Sequence, residues 1–154
     1  ICKMYHNTYG LSIQILRLSS VYGPGQSPKY IIPAIMINSV NNKDIEIHHY
    51  KNGLQLMDFV HVNDVCKAIS LSCKSKLKFG IYNIASGTPI TANEITNKIS
   101  QIIQIHTIST SIDRETNHLF YDISNAEREL GFKPVVKLEK KILKEIYKSV
   151  VSKR

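Results

Sequence analysis

The most informative stretch of this 154-residue sequence is residues 12–25, which read SIQILRLSSVYGPG. Its first seven residues are mostly apolar, as in a strand that is covered on both faces of a parallel sheet. The stretch ends in Gly23, Pro24 and Gly25, which are strong turn residues. We therefore predict a buried strand at residues 12–18, followed by a loop at its carboxyl end.

Helices and strands alternate along the rest of the chain. A helix is predicted for residues 1–9, ending near Gly10 in a position typical of a C-cap. A second strand of the buried type is predicted for residues 79–85. The remaining predicted elements are a helix at 30–40 with Pro33 in its first turn, a strand at 45–47, a turn at 52–53, and helices at 63–73, from 91 onward, at 124–130 up to Gly131, and after Pro134.

Several helices have a predicted cap or buried face. In helix 63–73 we expect Asp64 to cap the first turn. Its buried face is predicted to consist of Val65, Ile69 and Cys73. Thr91 and Glu94 match a capping box. The helix that they open is predicted to have an apolar side formed by Ile95, Ile99, Ile102 and Ile103, and the last helix one formed by Leu138, Ile142, Ile146 and Val150.

This alternation predicts an α/β fold. The strands at 12–18 and 79–85 require a sheet that is buried on both sides, and too few strands are present to build one well. Strands that precede Ile1 would resolve this difficulty, and the chain begins with isoleucine rather than methionine. We therefore interpret it as a piece of a longer protein.

The net charge of +8 is concentrated at one end of the chain. Residues 133–154 contain eight basic residues and two acids, whereas the rest is close to neutral. The predicted last helix would place these lysines on its solvated face, which argues against a nucleic-acid binder, and contact with a polyanion is the alternative.

Composition excludes several other classes of protein. No stretch approaches the roughly 20 apolar residues of a membrane span, and no secretory signal is visible. The three cysteines lack a C-x-x-C pair, so we expect reduced thiols in a cytoplasmic protein.

His48 and His49 are adjacent and would face opposite sides of a strand, so they cannot easily share a metal ion. His61 and Asp64 lack a third ligand, so no metal site is predicted.

Four motifs carry a resemblance to a known family: RLSSVYGPG at 17–25, MDFVHVNDV at 57–65, YNIASG at 82–87, and the pair DISNA at 122–126 and LGFKP at 130–134. Their order and spacing resemble the C-terminal half of extended short-chain dehydrogenases, the NAD-dependent nucleotide-sugar epimerase/dehydratase family. The resemblance implies the C-terminal part of a Rossmann-like NAD(P)-binding fold plus a small α/β substrate-binding domain. The strands at 12–18 and 79–85 would be the last of the cofactor sheet, and residues 26–58 and 88–154 would form the substrate-binding part.

The family's catalytic residues are not found in this chain. No G-x-x-G-x-x-G fingerprint occurs, and no tyrosine is followed four residues later by lysine. In the family that Tyr-x-x-x-Lys pair lies shortly before a segment resembling residues 1–6, so we expect both residues upstream of Ile1.

The resemblance also implies roles for particular residues. Leu18 and Ser19 would contact the cofactor, which is NAD, with NADP as the alternative. Ser20 stands where relatives usually have a substrate-binding asparagine. Lys29, Tyr30 and Arg114 complete the predicted substrate-binding set, whereas Met57 departs from the phosphate-binding arginine of many relatives, a role that Arg114 could replace.

The sequence thus predicts the substrate side of a nucleotide-sugar epimerase of the UDP-glucose 4-epimerase type, homodimeric when intact and inactive as this fragment. A dehydratase or reductase of the same family is the first alternative. A non-catalytic relative that has kept the fold as a binding or regulatory module is the second.

Overall fold

The computed structural model describes residues 1–151. Its helices are α1 (Cys2–Tyr9), α2 (Ile31–Val40), α3 (Val62–Lys74), α4 (Ala92–Ile99), α5 (Ser124–Leu130) and α6 (Lys140–Val151). Its strands are β1 (Ile13–Leu18), β2 (Ser20–Tyr22), β3 (Ile45–Tyr50), β4 (Leu56–Met57), β5 (Phe59–His61), β6 (Phe79–Ile84), β7 (Ile90–Thr91) and β8 (Thr107–Ile112). None of the helices within residues 1–151 is long and apolar enough to cross a membrane.

The strands pair mainly in parallel, which confirms the α/β prediction. β1 pairs with β6 from Ile13 opposite Phe79 to Leu18 opposite Ile84. β2 pairs in parallel with β5, and β3 with β8, whereas β4 and β7 form a short antiparallel pair. β1 and β6 therefore end at the same edge, and the residues that follow them are brought together there.

The buried side chains form two cores. One, the helical cluster, joins α2, β3, α4 and α6 around residues such as Met36, Ile99 and Leu143, all fully buried. The other, the sheet cluster, packs α3 and α5 against β6 around Ala68, Tyr82 and residues that include Ala126 and Phe132. Each fully buried Ile, Leu or Phe side chain contributes about 1.5–3 kcal/mol relative to an exposed one.

The surface beside the sheet cluster is unusually apolar. α1 buries none of its residues. Met4, Tyr5 and Tyr9 on α1 are 59%, 44% and 67% exposed, and Leu18 at the end of β1 is 44% exposed. The helix touches the start of β6 through the rings of His6 and Phe79, whose centroids are 5.1 Å apart.

Most of the predicted helix-end signals are confirmed, and the exception is the cap assigned to Asp64. α1 ends at Gly10 and α5 at Gly131, both left-handed with φ of 65° and 64°. Pro33 lies in the first turn of α2. Thr91 and Glu94 form the predicted capping box, with Thr91 N donating to the Glu94 carboxylate at 2.7 Å and Glu94 N donating to Thr91 Oγ1 at 3.2 Å. Hydrogen bonds from Thr91 lower the pKa of the Glu94 carboxyl.

Three predicted helix faces were partly wrong, those of α3, α4 and α6. In α3 the buried residues are Asp64, Val65 and Ala68, whereas Ile69 is 48% exposed and Cys73 is exposed. Because an α-helix has 3.6 residues per turn, residues spaced four apart move gradually around its circumference. Contacts with β1, β5 and α5 therefore bury Ala68 rather than Ile69.

α4 ends at Ile99, so Ile102 and Ile103 lie in the turn after it, although both still pack on the helical cluster. β3 extends to Tyr50 rather than 47, and β8 was not anticipated. Leu138 precedes α6 rather than lying on it and is buried. Lys153 and Arg154 of the basic segment lie outside the described residues.

Candidate functional site

The shared carboxyl edge of β1 and β6 holds the two predicted cofactor residues. Ser19 is buried, and its backbone N–H donates to the Ile84 carbonyl at 3.0 Å, which ties the end of β1 to the end of β6. Its Oγ has no hydrogen-bond partner among the described residues. Leu18 lies beside it at this edge. Ligands of open parallel sheets bind at the carboxyl ends of the strands, so Ser19 offers an unused donor at the expected place.

A buried carboxylate fixes the loop that follows β6. Asp58 is 2% exposed and accepts hydrogen bonds from Ser86 N at 2.9 Å, Ser86 Oγ at 2.6 Å and Gly87 N at 3.1 Å. Gly87 has φ +70°, and a Cβ there would lie 3.2 Å from Ile123 Cδ1. Asp58 therefore has a structural role, because it holds residues 86–87 against the sheet edge.

Asp64 does not cap α3, contrary to prediction. The N-cap is His61, whose Nδ1 accepts from Asn63 N at 3.2 Å. The buried Asp64 carboxylate instead accepts from the backbone N–H groups of Val135 at 3.2 Å and Val136 at 3.0 Å. It thereby anchors the segment between α5 and α6 to α3.

Tyr22 and His61 form a buried aromatic pair below this edge. Their ring centroids are 5.1 Å apart in an edge-to-face arrangement, and the Tyr22 hydroxyl donates to the Val136 carbonyl at 3.1 Å. Gly23 packs so tightly here that a Cβ would come within 2.7 Å of Val62 Cγ1.

Burial keeps both members of this pair neutral. It raises the pKa of Tyr22 far above its usual value, with Asp64 and Glu139 adding to the effect. Burial also lowers the pKa of His61, partly opposed by the charges of Asp64 and Glu145. Tyr22 thus remains a protonated hydrogen-bond donor and is unsuited to accept a proton in catalysis.

The predicted substrate residues are all exposed at loop and element ends. Ser20 begins β2 opposite Phe59. Lys29 and Tyr30 precede α2, and Tyr30 is its N-cap residue with an extended backbone. The Arg114 guanidinium lies 6.0 Å from the centroid of the Tyr50 ring. No hydrogen bond or ion pair within residues 1–151 joins these side chains to one another.

Met57 and Arg114 belong to two loops that are fastened together. Asn52 Nδ2 donates to the Thr116 carbonyl at 2.8 Å, and Thr116 N donates to Asn52 Oδ1 at 2.9 Å. Met57 itself bridges to Leu119 and pairs with Ile90. The loop that contains Arg114 is therefore hydrogen-bonded to the loop that precedes Met57.

The remaining polar candidates have structural partners. The Asn83 side chain donates to the backbone carbonyl of Asp122 at 2.9 Å. His48 contacts Glu46 at 3.2 Å on the exposed face of β3. Within residues 1–151, no three His, Cys, Asp or Glu side chains are arranged to hold a metal ion.

Comparison with known proteins shows which proteins this chain is similar to. The model of the NAD dependent epimerase/dehydratase family matches residues 1–85, more than half of the chain. The dTDP-glucose 4,6-dehydratase of Streptomyces antibioticus is 28% identical over 134 residues, which are 84% of this chain and 39% of that protein.

Two solved structures share the fold over almost the whole chain. UDP-N-acetylglucosamine 4-epimerase from Methanobrevibacter ruminantium, in complex with UDP-N-acetylmuramic acid, superposes with a TM-score of 0.84 at 29% identity, covering 99% of this chain and 50% of that one. The dTDP-glucose 4,6-dehydratase of Streptomyces venezuelae, with NAD bound, gives 0.79 at 29% identity, covering 99% and 48%. The chain thus spans about half the length of the proteins it resembles.

Proposed function

This chain belongs to the NAD-dependent epimerase/dehydratase family, and on that premise we propose that it is the C-terminal, substrate-side portion of a nucleotide-sugar epimerase. The observation that carries the proposal is the unpaired Ser19 Oγ, buried at the carboxyl edge shared by β1 and β6. Such an orphaned polar atom fits a ligand that supplies the missing hydrogen bond.

Leu18 and Ser19 would hold the cofactor at this edge. NAD, when bound, supplies a reversible acceptor for the hydride of the sugar. Ser19 would donate a hydrogen bond to it, and the exposed Leu18 side chain would provide apolar contact. The hydrogen bond between Ser19 N and the Ile84 carbonyl and the clamp of Asp58 on residues 86–87 would keep this edge rigid.

Ser20, Lys29, Tyr30 and Arg114 would bind the nucleotide-sugar. The Ser20 hydroxyl can donate one hydrogen bond to a sugar or phosphate oxygen. Lys29 and Arg114 are cations suited to a diphosphate, and Arg114 would replace the charge that Met57 lacks. Tyr30 would border the base.

The rest of the active site would come from a preceding half of the protein. Support for this lies in the half-length coverage of the relatives and in the exposed apolar residues of α1 and β1, which a longer chain would cover. That half would supply the phosphate-binding glycines, the Tyr-x-x-x-Lys pair and further sheet strands, and residues 26–58 and 88–154 would form the substrate-binding part.

A dehydratase is the second candidate, because two of the relatives are dTDP-glucose 4,6-dehydratases. Product analysis separates the two reactions. An epimerase returns an isomer of its substrate, whereas a dehydratase product has lost one water.

The test is an assay of the intact protein with NAD and UDP-glucose, UDP-N-acetylglucosamine, UDP-glucuronate or dTDP-glucose, with products identified by NMR. We expect an isomeric UDP-sugar. Arg114→Met should raise KM about ten- to a hundredfold, as for a lost charged hydrogen bond of about 1.5–3 kcal/mol. Lys43→Met, which removes an exposed cation in the turn after α2, is the matched control and should leave KM unchanged.

Ser20→Ala should lower kcat/KM about three- to tenfold, the size of a neutral hydrogen bond of about 0.5–1.5 kcal/mol. Ser70→Ala on the exposed face of α3 is its control. A product that lacks water would replace epimerase by dehydratase. If the intact protein binds no nucleotide-sugar, the epimerase proposal fails and the non-catalytic alternative is supported. If Arg114→Met and Lys43→Met change KM equally, Arg114 does not belong to the substrate site.

A further inference from the structure

A cleft in the surface lies apart from the individual residues proposed above to bind the substrate. It has a volume of about 410 Å³ and opens between the loop after β6, α4 and the segment that joins α5 to α6. Its lining consists of Tyr22, Phe59, Ser86, Thr88, Ile90, Lys98, Pro134, Val136, Lys137 and Leu138. This volume is within the usual range of small-molecule sites. None of the residues assigned above to substrate or cofactor lines it.

The lining combines an apolar interior with cationic groups. Phe59 and Leu138 are buried, whereas Lys137 is exposed and Lys98 is half-buried. No carboxylate lines this cleft within the described residues, and neither lysine belongs to an ion pair there. Glu94, one turn before Lys98 in α4, accepts hydrogen bonds from Thr91, and the charge of Lys98 also lowers the pKa of its carboxyl. Glu139, two residues after Lys137, does not line the cleft.

The positive charge continues around the mouth of the cleft. A neighbouring cavity of about 340 Å³ shares Lys98 and Leu138 with it and adds Lys140 and Lys141 against the single acid Glu139. Both added lysines stand in the first turn of α6, which contains no acidic residue. Cations at this end oppose the helix dipole, and Glu139, which immediately precedes the helix, offsets part of their charge.

Partly buried hydrogen bonds hold the walls in place before any ligand binds. Asp58 fixes Ser86, and Asp64 fixes the backbone of Val136. The Tyr22 hydroxyl donates to the carbonyl of the same Val136. Preorganised walls reduce the cost of ordering a site on binding.

We propose that this cleft binds a small organic anion, a phosphate or carboxylate carried on an apolar or aromatic body. The body would lie against Phe59, Ile90 and Leu138, and the anionic group would lie between Lys98 and Lys137. The site lies largely within the part of the chain proposed to bind substrate, but its lining contains none of the individual residues assigned to the cofactor or to the nucleotide-sugar.

The test is calorimetry on the intact protein with its nucleotide-sugar site saturated by UDP. Phenyl phosphate, benzoate, inorganic phosphate and phenol are titrated separately. We expect phenyl phosphate or benzoate to bind at least tenfold more tightly than inorganic phosphate and phenol, since only the first two carry both an anion and an apolar body. The stronger of the two identifies the anionic group.

Charge-neutralising variants locate the binding. Lys98→Gln and Lys137→Gln should each weaken binding of the preferred probe about three- to tenfold, a range that matches partly exposed ion pairs. Lys144→Gln, which changes an exposed lysine of α6 that lines neither cavity, should leave affinity within twofold. Loss of binding in the presence of UDP would place the probe in the nucleotide site and overturn the proposal.

The proposal would also be overturned by equal effects of Lys98→Gln and Lys144→Gln, by inorganic phosphate binding as tightly as the organic anions, or by no binding of any probe. Each of these outcomes leaves the assay of nucleotide-sugar turnover unaffected, so the two proposals fail separately.

Discussion

The helical cluster is closed, whereas the surface beside the sheet cluster is open. α2 buries five of its residues and meets α6 and α4 over a continuous core. α1 buries none, and β1 leaves its carboxyl end exposed at Leu18. Monomeric proteins rarely leave large contiguous apolar surfaces uncovered. The comparison indicates that the helical cluster is covered within this chain, whereas the surface beside β1 is suited to cover by another segment.

The largest expected effect is the absence of turnover in the 154-residue chain alone. Neither the phosphate-binding glycine fingerprint nor a Tyr-x-x-x-Lys pair occurs in it. The purified chain should therefore show no epimerase or dehydratase activity with NAD and several UDP- or dTDP-sugars, whereas the intact protein should be active. Turnover above background by the chain alone would remove the argument that the open surface belongs to a larger active site.

Truncating side chains on the two surfaces should have opposite consequences. Leu143→Ala, within the helical cluster, should lower the free energy of unfolding by about 2–5 kcal/mol, because Leu143 is fully buried. Met4→Ala on α1 should change it by less than about 0.5 kcal/mol in the 154-residue chain. Urea unfolding measures both.

The same Met4→Ala change should cost clearly more in the intact protein if that surface is covered there. An equally small cost in both would show that Met4 remains exposed in the longer chain.

Removing the carboxylate that joins β5 to the sheet edge should also be costly. Asp58→Ala leaves the N–H groups of Ser86 and Gly87 without the buried carboxylate that accepts from them, and we expect a loss of about 1–3 kcal/mol in the free energy of unfolding. Asp113→Ala, an exposed acid paired with Lys51, is the control and should cost less than about 1 kcal/mol. Equal losses of unfolding free energy in the two variants would mean that the hydrogen bonds of Asp58 add little to the stability of the protein.

A smaller effect is expected where the sequence departs from its relatives. In the intact protein Met57→Arg should tighten binding of a nucleotide diphosphate-sugar by up to about 1.5–3 kcal/mol, through a charged hydrogen bond to phosphate. The gain should be smaller if Arg114 already fills this role, and it should decrease with salt at an open site. Calorimetry with UDP-, GDP- and dTDP-sugars measures it, and no change for any ligand would mean that residue 57 does not face the phosphates.

The smallest expected effect is a pH dependence from His61. Its folded-state pKa is lowered from 6.5 because burial disfavours the charged ring. The unfolded chain then binds this proton more tightly, so the contribution of His61 to stability is complete above about pH 6.5 and decreases as the pH falls toward the folded-state pKa. Chemical denaturation between pH 5 and 7.5 should show this slope.

His61→Asn keeps a side-chain acceptor at the N-cap of α3 and removes the titrating ring. The slope between pH 5 and 6.5 should decrease in this variant. An unchanged slope would assign it to other groups.

Signals that act over a few residues were sufficient for the family, the α/β class and several of the element ends. The capping box at Thr91 and Glu94 and the left-handed glycines at 10 and 131 depend only on their immediate neighbours, and the structure confirms them. The paired strands at 12–18 and 79–85 followed from apolar runs in the same way. The roles of Leu18, Ser19, Ser20, Lys29, Tyr30 and Arg114 come from the family resemblance and stay predictions.

Long-range packing determined what those signals could not. Asp64 was assigned to a helix cap because the nearest backbone N–H groups belong to its own helix, yet its partners, Val135 and Val136, lie 71 and 72 residues away. The buried face of α3 depends on which strands it meets, and the cationic cleft is assembled from β2, β5, α4 and two connecting segments. Burial and hydrogen-bond partners depend on residues that are distant in sequence, so only the folded chain brings such sites together.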